Sequence, residues 1–238
     1  MPDSFLLKQT NIPWRILDWV YPANCCECDR PGQHICTECL KKMRTPGDKI
    51  CQVCGKPLDP LDGCETCSGT TVSFDEARAA FLYEGTIRKA IHQLKFDGNL
   101  GIAELFSNFL FSLYLRQNWN PDLIVPVPLT KRKMNERGFN QSEWIAKPLS
   151  KAIGIQFLKG ALQKTADTET QVGLTRQERS LNLKGAFRAE PALISGKNIL
   201  LIDDVMTTGA TFNECAHELK ESGADQVFCL SVATTDLL

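Results

Sequence analysis

Eight of the eleven cysteines fall in four Cys-x-x-Cys pairs: Cys25 with Cys28, Cys36 with Cys39, Cys51 with Cys54, and Cys64 with Cys67. From Pro22 to about Thr70 the chain is otherwise rich in Gly, Pro, Asp and Lys, with almost no aliphatic runs. Such a stretch cannot bury enough apolar surface to offset the entropy of ordering it. Metal must hold it instead. Two intervening residues let both thiolates of a pair reach one tetrahedral ion at about 2.3 Å, and two pairs close one site. The eight thiolates therefore predict two zinc sites of four cysteines each. They are structural, because sulfur fills every position and leaves none for a reactive water. The spacing suits two successive ribbons, and an interleaved cross-brace, first pair with third and second with fourth, uses the same ligands. Disulfides are the competing use of such cysteines, but they need an oxidising compartment and seldom bridge so short a loop. Met1-Pro2-Asp3-Ser4 lacks the basic flank and apolar run of a secretory leader, so a cytoplasmic, reducing setting is expected. Cys26 then reads as a spare thiol, Cys215, His217 and Cys229 as structural, and His34, close to Cys36, as a solvated loop residue.

Charge excludes some partners. The chain carries 27 Lys and Arg against 28 Asp and Glu, so no global field draws it to nucleic acid or an anionic membrane. The cysteine-rich stretch is balanced as well, and its small cluster Lys41, Lys42, Arg44 reads as a solvated face. The most apolar run, Leu105 to Leu115, is interrupted by Ser107, Asn108 and Ser112. It falls short of the roughly 18 apolar residues that a membrane span needs, so no membrane insertion is expected.

Outside the ribbons the pattern is that of an α/β protein. Pro13 to Tyr21 has apolar residues at helical spacing behind a proline and predicts a short amphipathic helix. Ala77 to Tyr83 predicts a strand, and Gly85 to Phe96 and Leu100 to Gln117 predict helices. Leu123 to Val127, Asn198 to Ile202 and Gln226 to Ala233 are apolar runs of strand length. They alternate with helical stretches at Gln141 to Ala152 and Thr211 to Ser222, which implies parallel βαβ units. Gln163 to Asn182 is polar and aperiodic, a loop long enough to be functional. The organisation read from this is an N-terminal helix and zinc-ribbon module over 1–72 and a mostly parallel α/β domain over 73–238.

One stretch carries specific chemistry: Ile199-Leu200-Leu201-Ile202-Asp203-Asp204-Val205-Met206-Thr207-Thr208-Gly209-Ala210-Thr211. A buried strand meets two carboxylates, and a Thr- and Gly-rich turn then opens a helix. Ligands of an open parallel sheet sit beyond the carboxyl ends of its strands, and helix N-terminal amides stabilise a phosphate. Two carboxylates beside a phosphate repel it unless they meet hydroxyls or a cation. A sugar phosphate with magnesium meets all these demands. Upstream, Val125-Pro126-Val127-Pro128 leads from a strand into a cationic turn, Lys131-Arg132-Lys133. Lys131 and Arg132 are placed for an anionic leaving group, and Lys133 reads as a solvated charge.

The Asp203 to Thr211 stretch resembles the signature of type I phosphoribosyltransferases. With the Cys-x-x-Cys array, Tyr83-Glu84-Gly85, Leu94-Lys95-Phe96, Arg137 to Gln141, Thr170-Gln171, Leu174-Thr175-Arg176, Arg179, Asn182 and Gly185-Ala186-Phe187, nearly the whole chain resembles the ComF family. The resemblance implies the type I phosphoribosyltransferase fold and binding of 5-phosphoribosyl-1-pyrophosphate (PRPP) with magnesium. By this likeness Asp203 and Asp204 hold the ribose diol. Val205, Met206, Thr207, Thr208, Gly209, Ala210 and Thr211 form the 5-phosphate loop, and Lys131, Arg132, Arg176 and Arg179 face pyrophosphate. It also implies transfer to an unidentified nitrogen acceptor and a link to natural competence and DNA uptake. The alternative is a non-catalytic PRPP sensor or adaptor whose zinc module docks onto DNA-uptake proteins or single-stranded DNA. Thr207 stands where purine-salvage relatives of the hypoxanthine-guanine type carry an aspartate, which argues against those two purines as acceptors.

Overall fold

A computed structural model describes residues 23–58, 63–64, 66–67, 71–165 and 185–235. The helix expected over Pro13 to Tyr21, most of the loop ending at Asn182, and Arg176 and Arg179 lie outside the described residues. A single helical turn, α1 (Thr37–Leu40), belongs to the first ribbon. Then follow β1 (Glu76–Leu82), α2 (Gly85–Asp97), α3 (Leu100–Tyr114), β2 (Leu123–Pro126), α4 (Lys131–Arg137), α5 (Gln141–Ile153), β3 (Gln156–Phe157) and β4 (Leu162–Lys164). The chain continues through β5 (Phe187–Ala189), α6 (Pro191–Ile194), β6 (Asn198–Met206), α7 (Ala210–Glu221) and β7 (Gln226–Thr234). Five strands form one sheet in the order β1-β7-β6-β2-β3, and every neighbouring pair is parallel.

The apolar runs are continuous because the sheet is covered on both faces. Successive side chains of a strand point to opposite faces, and the burial follows that alternation. Ile199, Leu201, Val227 and Cys229 pack with Phe212, Cys215 and Leu219 of α7. Leu200, Ile202, Phe228 and Leu230 pack on the other side with Ile91, Phe106 and Leu149 of α2, α3 and α5. Phe106 is fully buried there, and truncating such a side chain to Ala costs about 3–5 kcal/mol. Cys215 and Cys229 are buried in the first of these cores, as structural thiols should be, and His217 is exposed.

Three expectations about the secondary-structure elements need correction. The strand carrying the acidic pair does not stop at Ile202: β6 runs on to Met206, because β7 continues to pair with it as far as Met206 opposite Thr234. The cationic stretch after Pro128 is not a turn but the helix α4, whose N-terminus is capped by the Thr130 hydroxyl accepting from the Lys133 N–H at 3.2 Å. Gln163 and Lys164, expected in a loop, lie in β4, which pairs antiparallel with β5.

The ribbons are built into this architecture. Cys51 and Cys54 join the α7-side core, and Cys25, Ile35, Cys36 and Cys39 join the α2–α3 side. The second ribbon lies along the outer edge of β1: Val53 O accepts from the Ala77 N–H at 2.7 Å, and Gln52 O accepts from the Arg78 guanidinium at 2.9 Å. Gly55 makes this approach, since a Cβ there would stand 2.4 Å from Ala77 O. The first ribbon rests on the α2–α3 corner. His34 is half-buried there, with Nδ1 3.2 Å from the Asn99 amide and its ring over Gly101, so it is a packing residue and not a solvated one.

Candidate functional site

The cysteines group sequentially. Cys25, Cys28, Cys36 and Cys39 form one cluster and Cys51, Cys54, Cys64 and Cys67 the other, each with its sulfurs within 4.8 Å of one another. The interleaved pairing is thereby removed. A tetrahedral ion with 2.3 Å bonds sets its sulfurs about 3.8 Å apart. The observed separations are 3.7 Å for Cys28–Cys36, 3.8 Å for Cys51–Cys67 and 3.3 Å for Cys54–Cys64. The donors fit zinc. Burial raises the Cys25 thiol, but backbone N–H donors from Cys36, Glu27 and Cys28 outweigh it and bring the pKa down to about 6. Burial and its sulfur neighbours push Cys39 up to about 12. Four sulfurs so close cannot all ionise without a cation, and a divalent ion answers that. Cys26 is outside the cluster: its thiol donates to Thr86 O at 3.8 Å, and burial pushes it up to about 11.

The second candidate site lies at the carboxyl end of β6. Asp204 is buried, its Oδ1 accepting from Gln141 Nε2 at 2.9 Å and its Oδ2 ion-paired with the Lys95 ammonium. Asp203 Oδ1 accepts from the Ser142 hydroxyl at 2.8 Å and from the Asp204 N–H at 2.9 Å. The first turn of α5 thus reaches both carboxylates. It is placed by Asn140, which caps α5 by accepting from the Ser142 N–H at 3.0 Å and donates to Val127 O at 2.9 Å. Burial, and then the Asp204 charge, push Asp203 up to about 7. Burial also acts against the Asp204 anion, but Lys95 and the Gln141 hydrogen bond more than offset it and hold that carboxyl below its ordinary value. Below about pH 7 a proton on Asp203 and the Lys95 ammonium therefore balance the pair.

Beyond Met206 the chain turns through Thr207, Thr208 and Gly209 into α7. Gly209, at φ 79, is the N-cap and has no side chain with which to cap the helix. Thr208 Oγ1 lies 3.4 Å from the Ala210 N–H, and Thr207 is exposed. A cavity of about 20 Å³ is lined by Asp203, Val205, Met206, Thr207, Gly209, Thr211 and Phe212, so all but three of the residues predicted for this element meet around one hollow. The second ribbon stands behind it: Thr66, between two zinc ligands, has its Cγ2 3.8 Å from where a Gly209 Cβ would be. The Ser73 N–H also donates to Asn213 of α7 at 2.7 Å.

Lys131 and Arg132 stand exposed on the first turn of α4, and Arg132 pairs with Glu136 at 3.3 Å. Arg137, at the far end of α4, is drawn closer to the acids by its hydrogen bond to Gln141 Oε1. Lys133 is exposed, as expected of a solvated charge, while partial desolvation, then Arg137, Lys95 and Arg132, hold its ammonium below the ordinary value. Sequence reasoning assigns Lys95, Gln141 and Ser142 no contact with the acidic pair. For Lys95 and Gln141 the sequence signal is membership of the Leu94-Lys95-Phe96 and Arg137-to-Gln141 motifs, and Ser142 simply follows the second of these. In the first ribbon, Lys41 pairs with Glu38 at 3.0 Å and Arg44 with Glu84 at 3.2 Å, which leaves little unbalanced positive charge in that cluster.

A central parallel strand that delivers two carboxylates into a Thr-Gly turn defines the phosphoribosyltransferase class of α/β fold. The family model described as phosphoribosyl transferase domain matches residues 100–235, and that described as double zinc ribbon domain matches residues 16–68. The chain belongs to the ComF family. It is 37% identical over 205 residues to the DNA utilization protein YhgH of Escherichia coli strain K12, covering 82% of this chain and 89% of that one. Its identity to the competence protein ComFC of Bacillus subtilis strain 168 is 28% over 203 residues, covering 82% and 81%. Among solved structures, the glutamine PRPP amidotransferase from B. subtilis complexed with ADP and GMP aligns with a TM-score of 0.40. That match has 19% identity over 56% of this chain and 27% of that one, and bears on neither ligand nor chemistry. Among the described residues no helix is long and apolar enough to cross a membrane.

Proposed function

We propose that this protein binds PRPP with magnesium at the carboxyl end of β6 and transfers the phosphoribosyl group to a nitrogen acceptor, releasing pyrophosphate. The observation that carries the reading is the shared hollow of Asp203 with Thr207, Gly209 and Thr211 of the turn, next to Asp204 and within electrostatic reach of Lys133 and Arg137 of α4. Asp203 and Asp204 accept hydrogen bonds from the ribose diol. Val205, Met206, Thr207, Thr208, Gly209, Ala210 and Thr211 cradle the 5-phosphate through backbone amides and threonine hydroxyls. Lys131 and Arg132, with Arg137, face the pyrophosphate, and Arg176 and Arg179 are assigned to the same duty by family resemblance. Magnesium, bound with the substrate, neutralises charge on the leaving group. The acceptor nitrogen forms the new bond to C1 while the C1–O bond breaks and its electron pair leaves with pyrophosphate. The carboxylates stabilise the positive charge that develops on the sugar.

Calorimetry tests the site. Asp203→Ala with Asp204→Ala should abolish PRPP binding in a folded, zinc-loaded protein, and unchanged affinity would sink the assignment. The names of the relatives, a DNA utilization protein and a competence protein, favour a second reading: a PRPP sensor or adaptor in DNA uptake, its zinc module docking on uptake proteins or single-stranded DNA. Acceptor-dependent release of pyrophosphate supports the enzyme. Binding without release under any acceptor supports the sensor.

A further inference from the structure

Lys95 reaches the acidic pair from α2, an element that contributes no residue to the phosphate turn. Its ammonium pairs with Asp204 Oδ2, the Lys95 side chain being 23% exposed and that of Asp204 5%. The other contacts of the pair come from α5 and the backbone and are neutral: Gln141 on Asp204 Oδ1, and Ser142 and the Asp204 N–H on Asp203 Oδ1. Burial works against the ammonium, but the Asp204 ion pair, helped by Asp203, keeps it above its ordinary value. Lys133 of α4 is close enough to feel its charge, and Arg137 of the same helix feels the charges of Asp204 and Asp203. The hollow beside Asp203 measures about 20 Å³, room for about one water. The ammonium thus holds a carboxylate oxygen that a ribose diol needs, at a place next to where a pyrophosphate on C1 must lie.

We propose that Lys95 is a transferable counter-ion: it neutralises Asp204 in the free protein, and the incoming sugar displaces it from the carboxylate onto the pyrophosphate. This rests on the reading that Asp203 and Asp204 take the ribose diol of PRPP. Lys95 is then a binding residue for the leaving group, and it competes with the sugar hydroxyls until pyrophosphate is present to receive it. The two halves of the substrate feel its removal in opposite directions, which a purely structural ion pair cannot produce.

The experiment compares two probes by calorimetry on the full-length, zinc-loaded protein at pH 8. One is PRPP with magnesium, and the other is ribose 5-phosphate, which has the diol and the phosphate but no pyrophosphate. The variants are Lys95→Met and Lys95→Arg, each checked for parental zinc content and a cooperative thermal transition. Lys95→Met should weaken PRPP by about 10- to 100-fold, the worth of a charge-assisted contact. It should leave ribose 5-phosphate equally or more tightly bound. Lys95→Arg, which keeps the charge, should recover most of the PRPP affinity. Equal loss of both ligands, or PRPP affinity within about twofold of the parent, overturns the counter-ion role. Should Lys95→Met not fold, the arginine variant decides alone, since a loss shared by both probes again overturns it. A parent that binds neither probe refutes the underlying site assignment, an outcome distinct from either result.

Discussion

Replacing Gly55 by Ala tests how the second ribbon is fastened to the sheet. Gly55 has φ 66, and an added Cβ would meet Ala77 O at 2.4 Å, Arg78 Cα at 3.1 Å and Ala77 C at 3.2 Å. All three are backbone atoms of β1, which β7 holds in register from Glu76 to Leu82, so the strand cannot give way and the ribbon must. The left-handed conformation costs an alanine about 1–2 kcal/mol. Lifting the ribbon breaks the Ala77 N–H to Val53 O bond and the bond from Arg78, which is 8% exposed, to Gln52 O. Leaving such buried donors unmet costs about 1–3 kcal/mol each. The sum is about 3–6 kcal/mol after partial relaxation. Gly47→Ala is the control, because Gly47 has φ 82 but nothing within 4 Å of its Cβ position, so it carries the conformational cost alone. Denaturant midpoints and the rate of zinc loss to a chelator should both show Gly55→Ala far worse than Gly47→Ala. Equal effects of the two substitutions would refute the argument that the ribbon is docked through this contact.

The proton on Asp203 gives two opposed pH dependences. Its pKa stands at about 7 against an ordinary 3.8, so its contribution to stability is fully present below about pH 4 and is lost as pH rises through about 7. Diol binding needs the anion, so PRPP affinity should strengthen over that rise, and Asp203→Asn should flatten the parent's slope in both chemical denaturation and calorimetry. Metal analysis of the purified, fully reduced protein should find two zinc ions per chain, one for each sulfur cluster, and a value of one or fewer contradicts the cluster geometry. Hypoxanthine and guanine should be poor acceptors, because the exposed Thr207 hydroxyl is no general base near neutral pH. Pyrophosphate release with either purine at about 1 to 10³ s⁻¹, the common enzyme range, would overturn that inference.

Residues whose role is set by neighbours in the chain are legible in the sequence. The zinc ligands stand out because thiolates two residues apart form a knuckle by local geometry, and the acidic pair stands out because an apolar run leads straight into it. Which knuckles join cannot be read, since both pairings use the same spacings and the choice is made by packing on β1 and on the α2–α3 corner. The helix α4 has no buried residue, so no apolar stripe betrays it, and its capping hydroxyl on Thr130 looks like any loop threonine. Lys95 contacts Asp204 across more than a hundred residues of chain, and Gln141 and Ser142 reach the acidic pair across some sixty. Nothing local to a lysine at the end of an amphipathic helix distinguishes a solvated charge from the counter-ion of a buried pair. His34 escapes sequence reasoning for the same reason, its neighbour being a glycine on α3.

The ribbon that lies along β1 also decides how this protein can fail. At the other side of the sheet β3 is two residues long and offers little to a passing strand. The seven residues of β1 are the long margin, and Val53 occupies its ladder at Ala77. Stripping the metal frees that margin and bares Cys51, Cys54 and the apolar surface they cover. An uncovered strand edge beside exposed hydrophobic groups is a template for intermolecular pairing. Zinc starvation should therefore reach this protein first as insolubility, with the α/β half still folded when the chains begin to adhere.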